Sequence, residues 1–283
     1  MSLEIGLQLF SVKTELQRDY LATLEKVAEI GYKNLELLGA ISDDGLVFGQ
    51  GLSAAENGRH LERLGLKAVG CHFMPREDVN WEKVIGSCVE TGVSALVIPF
   101  WQFNSRQDVL SLCDTINRAA ELGQKQGVGL YYHNHFQEFQ VFEGEMVMDT
   151  MLANTDSALV KFEFDSYWAI RGGQDPVAWL RKLGKRCDLL HQKDMPAGVQ
   201  PVNLFELSVQ HPGMTIMDMF QTIGAEQFAE IGTGALNIAE IIATGQAYCN
   251  LRYVIVEQDK TFKDEIDSVR LSYENLVRIL AGA

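Results

Sequence analysis

The chain has 283 residues, with 24 Lys+Arg against 38 Asp+Glu for a formal net charge of −14, and it is 47% hydrophobic and 22% charged. That is the make-up of a globular chain able to bury a large core. Its charge opposes phosphate backbones and anionic membrane surfaces, so neither nucleic acid nor membrane is expected as a partner.

From Met1 to Val12 there is no basic region ahead of the apolar stretch, and Glu4, Gln8 and Ser11 interrupt it, so no secretory signal is expected there. Eight apolar, β-rich segments then recur along the chain: Glu4 to Phe10, Lys33 to Leu38, Leu66 to Phe73, Ala95 to Phe100, Gly127 to His135, Val160 to Asp165, Asp188 to Lys193 and Arg252 to Gln258. Between them lie amphipathic helical patterns over Tyr20 to Ile30, Ala54 to Leu64, Trp81 to Thr91, Gln107 to Gln126, Pro176 to Leu183 and Thr261 to Leu280. Gly31, Gly65, Gly92 and Gly127 stand where helices should stop.

Strand–helix alternation implies parallel strands with right-handed crossovers, and eight strands close a barrel. The fold class expected is therefore α/β, a single (β/α)8 TIM barrel over residues 1–283, with no linker dividing it. About sixty residues separate strands seven and eight, including Pro196, Pro201, Pro212 and the Glu230 to Gly234 loop. A long insertion there reads as a lid or pocket wall on the catalytic face. The loop could also offer N–H groups to an anion such as phosphate, though no P-loop lysine follows it.

The longest apolar run, Val93 to Trp101, is broken by Ser94 and falls well short of the roughly 18 residues of a membrane span. A cytoplasmic protein is expected. Its five cysteines are odd in number, with no CxxC pair, and read as reduced thiols.

Polar residues collect at the carboxyl ends of consecutive strands, the rim where barrel active sites assemble. Strand five ends in His133, Asn134, His135 and Glu138, strand six in Glu163 and Asp165, strand seven in His191 and Lys193, strand eight in Glu257 and Asp259. Alternation puts His133 with His135, Glu163 with Asp165, His191 with Lys193, and Glu257 with Asp259 on common faces.

Glu138, Asp165, His191 and Glu257 would make an oxygen-rich metal centre for Mn2+ first, with Mg2+, Co2+ or Zn2+ as alternatives. Solvated or ion-paired carboxylates beside Lys193 and Arg171 would explain any one of these residues more simply than all four on consecutive strands. His133 and His135 are candidates for proton transfer or for the ligand position otherwise given to Glu138. Glu257 and Glu138 are further acid–base candidates, and Lys193 could hold a substrate oxygen or neutralise the carboxylates. Gln8, Glu36 and His72 on earlier strands, with Trp101, Trp168 and Arg171, are substrate-contact candidates.

Taken together, several motifs in one order resemble the xylose isomerase-like TIM barrel superfamily, in its sugar phosphate isomerase/epimerase-like branch. They are Gly6-Leu7-Gln8-Leu9-Phe10-Ser11-Val12, Tyr132-His133-Asn134-His135 with Glu138-Phe139, Phe164-Asp165-Ser166-Tyr167-Trp168 with Arg171-Gly172-Gly173, Leu190-His191-Gln192-Lys193-Asp194, and Val256-Glu257-Gln258-Asp259. The resemblance implies a divalent metal held by residues of strands five to eight, onto which Asp165, His191 and Glu257 map. The first ligand position is either Glu138 or a histidine of the His133-Asn134-His135 segment.

It further implies a sugar or sugar phosphate isomerase/epimerase that abstracts a proton next to a carbonyl through a metal-stabilised enediolate. The alternatives are a metal-dependent lyase or dehydratase of a keto-cyclitol or 3-keto-glycoside, and a non-catalytic sugar-binding barrel. The DNA-repair endonuclease IV branch, with its histidine-rich three-zinc site, fits poorly with six histidines and a charge of −14. The partner expected is a small carbohydrate, with homo-oligomerisation left open.

Overall fold

The computed structural model describes residues 3–76, 78–199 and 203–282; Pro201 lies outside them. Eight parallel strands close on themselves: Glu4–Gln8, Asn34–Ser42, Lys67–Phe73, Ala95–Ile98, Gly129–His133, Val160–Asp165, Cys187–Gln192 and Tyr253–Val256, here called strands one to eight. Strand one pairs with strand eight through Glu4 and Tyr253, and with strand two through Gln8 and Glu36, which shuts the barrel.

Strand two runs on to Ser42, because its end turns back into an antiparallel pair with Gly45–Phe48 that the sequence pattern did not suggest. Strand four stops at Ile98, where Pro99 removes a ladder donor.

The helices form where apolar stripes and caps agree. Ser53 and Glu56 make a capping box at the start of Ala54–Leu64, and Gly65 ends that helix in the left-handed region at φ 67°. The last helix begins at Glu265 rather than Thr261, since the Asp264 side chain accepts from the N–H groups of Ile266 and Asp267. Val147–Asn154 and Ile238–Tyr248 are helices outside those singled out from the pattern.

The insertion after strand seven folds into short helices, Leu204–Gln210 and Ile216–Gln221, over the carboxyl ends of the strands. Its apolar residues build a cluster apart from the main core, in which Leu204, Met219, Ile223 and Phe228 cover Phe136 and Trp168. Asp194 anchors it: one carboxylate oxygen accepts from the N–H groups of Gly232 (3.0 Å) and Gly234 (2.9 Å), the other from Leu236 (3.1 Å). A Cβ on Gly234 would stand 2.3 Å from that carboxylate. The anion expected at this loop is thus a side chain of the protein itself, and the phosphate reading is corrected accordingly.

Among the described residues no helix is long and apolar enough to cross a membrane. All five cysteines are buried free thiols.

Candidate metal centre and active site

Alternation along each strand turns Gln8, Glu36, His72, His133, Glu163, Asp165, His191, Lys193 and Glu257 into one place, and every one of them is buried. They form two tiers. In the inner tier Glu36 Oε2 accepts from Gln8 Nε2 at 2.7 Å and faces His191 Nε2 at 2.6 Å and His72 Nε2 at 3.0 Å. Glu163 Oε2 faces His72 Nε2 at 2.7 Å, and His133 Nδ1 and His191 Nε2 each at 3.2 Å.

In the rim tier His191 Nδ1 lies 2.8 Å from Glu257 Oε2. The Lys193 ammonium donates to Asp165 Oδ2 at 2.5 Å and to Glu257, with Asp259 3.7 Å away.

These contacts set the charges. Burial opposes the charge on His72, yet Glu36 and Glu163 outweigh it and lift its pKa to about 9. Burial likewise works against charge on Lys193, but Asp165, Asp259 and Glu257 hold it well above its ordinary value. Burial would raise Glu257, and Lys193 and His191 overcome that and keep it ionised. His135 moves the other way: burial, reinforced by Lys193, presses it down to about 3. His133 is pushed down by burial and by His191. The site therefore sets two neutral imidazoles beside a fixed ammonium.

Two groups of buried donor atoms lie within 4.8 Å of one another, namely His133, Asp165, His191 and Glu257 at the rim, and His72, His133, Glu163 and His191 inside. Above them opens a cavity of ≈ 1310 Å³, lined by His72, His133, His135, Trp168 and Glu257 among others, with Phe220 and Phe228 of the insertion as its lid.

Three of the sequence candidates sit elsewhere. Glu138 accepts from the Tyr132 hydroxyl and from the His135 N–H at 2.9 Å, and burial raises its pKa to about 7. It belongs to neither donor group, and His133 stands at the strand-five position instead. Arg171 is buried and donates to Gln227 of the insertion at 2.6 Å, so it braces the lid. Trp101 packs against the main core, and its carbonyl accepts from Gln137. Among the described residues none of Gln8, Glu36, Trp101, Arg171 and Lys193 lines the cavity; barrel closure buries Gln8, Glu36 and Lys193 in mutual contacts instead of offering them to a substrate.

Glu163 and Asp259 stand on the faces expected for them, although neither is among the sequence candidates for ligand or catalyst. Their signal was the period-two spacing to Asp165 and Glu257.

No family model matches the chain. It is 36% identical over 85 residues to an inosose dehydratase of Geobacillus kaustophilus, 30% of this chain and 27% of that protein, and 30% identical over 99 residues to one of Clostridium beijerinckii, 35% and 32%. The match thus spans about a third or less of these relatives' length. A sugar phosphate isomerase/epimerase from Parabacteroides distasonis superposes with a TM-score of 0.77 at 27% identity, covering 98% of this chain and 94% of that one.

The fold is that of the xylose isomerase-like TIM barrels. Further neighbours share the fold at lower identity. IolI, crystallised with a bound zinc atom, has a TM-score of 0.71 at 11% identity with 99% of each chain covered. An L-ribulose 3-epimerase has 0.67 at 13%, covering 99% and 95%.

Proposed function

We propose that this xylose isomerase-like barrel is a divalent-metal-dependent enzyme of sugars or cyclitols, which removes a proton next to a carbonyl and then expels a β-oxygen as a lyase or dehydratase. The observation that carries this reading is a neutral imidazole on the cavity wall beside an aromatic ring that a buried ammonium approaches. The His135 ring lies 5.1 Å from the Trp168 ring, and the Lys193 ammonium is 5.9 Å from the same ring.

The rim donors suit a divalent ion. Two imidazoles and two carboxylates, His133, His191, Asp165 and Glu257, are buried within 4.8 Å of one another. Such a set takes Mn2+, Mg2+ or Co2+ and tolerates Zn2+, and the zinc atom in IolI supports a metal in this fold. An ion there supplies polarisation of a substrate carbonyl.

His135, which lines the cavity, accepts the proton. The departing oxygen takes its proton from solvent in the cavity, and the buried Lys193 ammonium supplies positive charge behind the cavity wall. At ≈ 1310 Å³ the cavity exceeds the roughly 300–1,000 Å³ that drug-sized ligands fill, which supports a substrate larger than one sugar ring, such as a keto-glycoside. The matches to inosose dehydratases support elimination.

A second reading returns the proton to carbon and makes the protein an isomerase or epimerase. The Parabacteroides and L-ribulose 3-epimerase neighbours favour it. Against it stands Glu138, whose engagement by Tyr132 and His135 leaves no glutamate pair across the rim.

The test is Mn2+-loaded protein incubated in D2O with inososes and 3-keto-glycosides and followed by NMR. An unsaturated product supports the lyase. Deuterium at the α-carbon with only an epimer or isomer formed selects the second reading. Metal uptake with neither outcome would point to a binding barrel.

A further inference from the structure

His191 presents one ring nitrogen to each tier. Nδ1 serves the rim through Glu257, whereas Nε2 faces inward to Glu36 and Glu163. Around Nε2 converge His72 Nε2 and His133 Nδ1, so that three imidazole nitrogens surround Glu163 Oε2 at 2.7 to 3.2 Å. Donors that share one tetrahedral ion at about 2.0–2.2 Å stand about 3.3–3.6 Å apart, so outward rotation of the side chains, most of all His72, would seat a cation here.

Two further observations point to a ligand. Glu36 Oε1 and Glu163 Oε1 are buried without a hydrogen-bond partner, and His133 Nδ1, although 3.2 Å from Glu163 Oε2, lacks hydrogen-bond geometry to it, whereas buried polar groups are normally satisfied. Beside them a Cβ on Gly70 would stand 2.4 Å from Glu36 Oε1, so the glycine keeps the space in which the second carboxylate lies.

We propose that the inner cluster is a second divalent-cation site, which shares His133 and His191 with the rim set and takes Zn2+ or Co2+ through His72 Nε2, His133 Nδ1, His191 Nε2 and Glu163 Oε2. Three imidazoles and one carboxylate form a more nitrogen-rich set than the rim donors, and nitrogen donors favour Zn2+ and Co2+ over Mn2+ and Mg2+. Glu36 stands behind the ligands, fixed by Gln8, and offsets the charge of the ion. In binding it, His72 and His191 give up the protons they otherwise share with Glu36 and Glu163. The site does not depend on the reaction proposed above.

The experiment is Co2+ titration of a rim-neutral variant, Asp165→Asn/Lys193→Met/Glu257→Gln, followed by visible absorption and elemental analysis. The expected result is about one Co2+ per chain with a d–d spectrum. Adding Glu163→Gln should weaken binding more than about 100-fold, beyond the loss that follows removal of an outer hydrogen-bond partner.

His72 belongs to the inner set alone, so His72→Gln in the otherwise native protein gives an independent measurement if the multiple variant does not fold. It should lower Zn2+ affinity and leave Mn2+ affinity unchanged. No Co2+ uptake by the folded rim-neutral variant, or native Zn2+ affinity in His72→Gln, overturns the inner site. Failure of the native protein to bind Mn2+ would instead count against the proposed function.

Discussion

The Lys193 ammonium lies 2.5 Å from Asp165 Oδ2, inside the ring of donors that suits a divalent ion. A buried cation of the chain thus balances the rim carboxylates when no ion does. Removing one partner of such a pair is costly, because it strands a charge out of water. Lys193→Met should therefore destabilise the metal-free protein by about 3–5 kcal/mol. Saturating Mn2+ should restore much of that, and thermal melts with and without metal would show it. Equal melting in both forms would mean that the ammonium and the ion do not serve the same carboxylates.

His135 touches the cavity and belongs to neither donor group. His135→Ala should lower kcat by about 10²–10⁴-fold, the usual contribution of a positioned acid or base. Metal stoichiometry should not change. Because burial and Lys193 keep the native imidazole neutral down to about pH 3, no limb of the native pH–rate profile between pH 5 and 8 should belong to it.

The pKa of His72 in the fold is about 9 against an ordinary 6.5. The folded state therefore holds a proton that the unfolded chain releases. The associated stabilisation is complete below about pH 6.5 and disappears as the pH rises through about 9, with an upper limit of about 3 kcal/mol. Chemical denaturation of metal-free protein at pH 6 and pH 9.5 should show this fall, and His72→Gln should flatten it. An unchanged slope in the variant would assign the pH dependence to other groups.

Asp194 ties the insertion to strand seven through the backbone N–H groups of Gly232, Gly234 and Leu236. In Asp194→Ala these donors lose a charged acceptor, at a cost of about 1–3 kcal/mol. Hydrogen exchange over residues 204–236 should speed up and kcat/KM should drop, with metal uptake intact. Native exchange rates in the variant would show that apolar packing alone holds the lid.

Much of this molecule is legible in order along the chain. Alternation in Phe162-Glu163-Phe164-Asp165 and in Leu190-His191-Gln192-Lys193 identifies strands and says which side chains share a face, because the pleat repeats every two residues. Ser53 with Glu56 and then Gly65 mark one helix's ends through purely local hydrogen bonding and φ preference. The barrel, its insertion, and the gathering of His133, His135, Asp165, His191, Lys193 and Glu257 as candidates at one end of it follow from such local rules and the resemblance they support.

Only the tertiary structure decided how those residues divide their work. Glu138 reads as a ligand in the sequence, but the Tyr132 hydroxyl and the His135 N–H claim it in space. Arg171 reads as a substrate contact and instead braces Gln227, 56 residues away. The two nitrogens of His191 reach Glu36 and Glu257, 155 and 66 residues distant, and so separate an inner tier from the rim. Periodicity fixes which way a side chain points from its own strand. What it meets there depends on closure of the barrel, which brings strands two, six and eight around one ring, and on burial, which decides which of those groups carry charge.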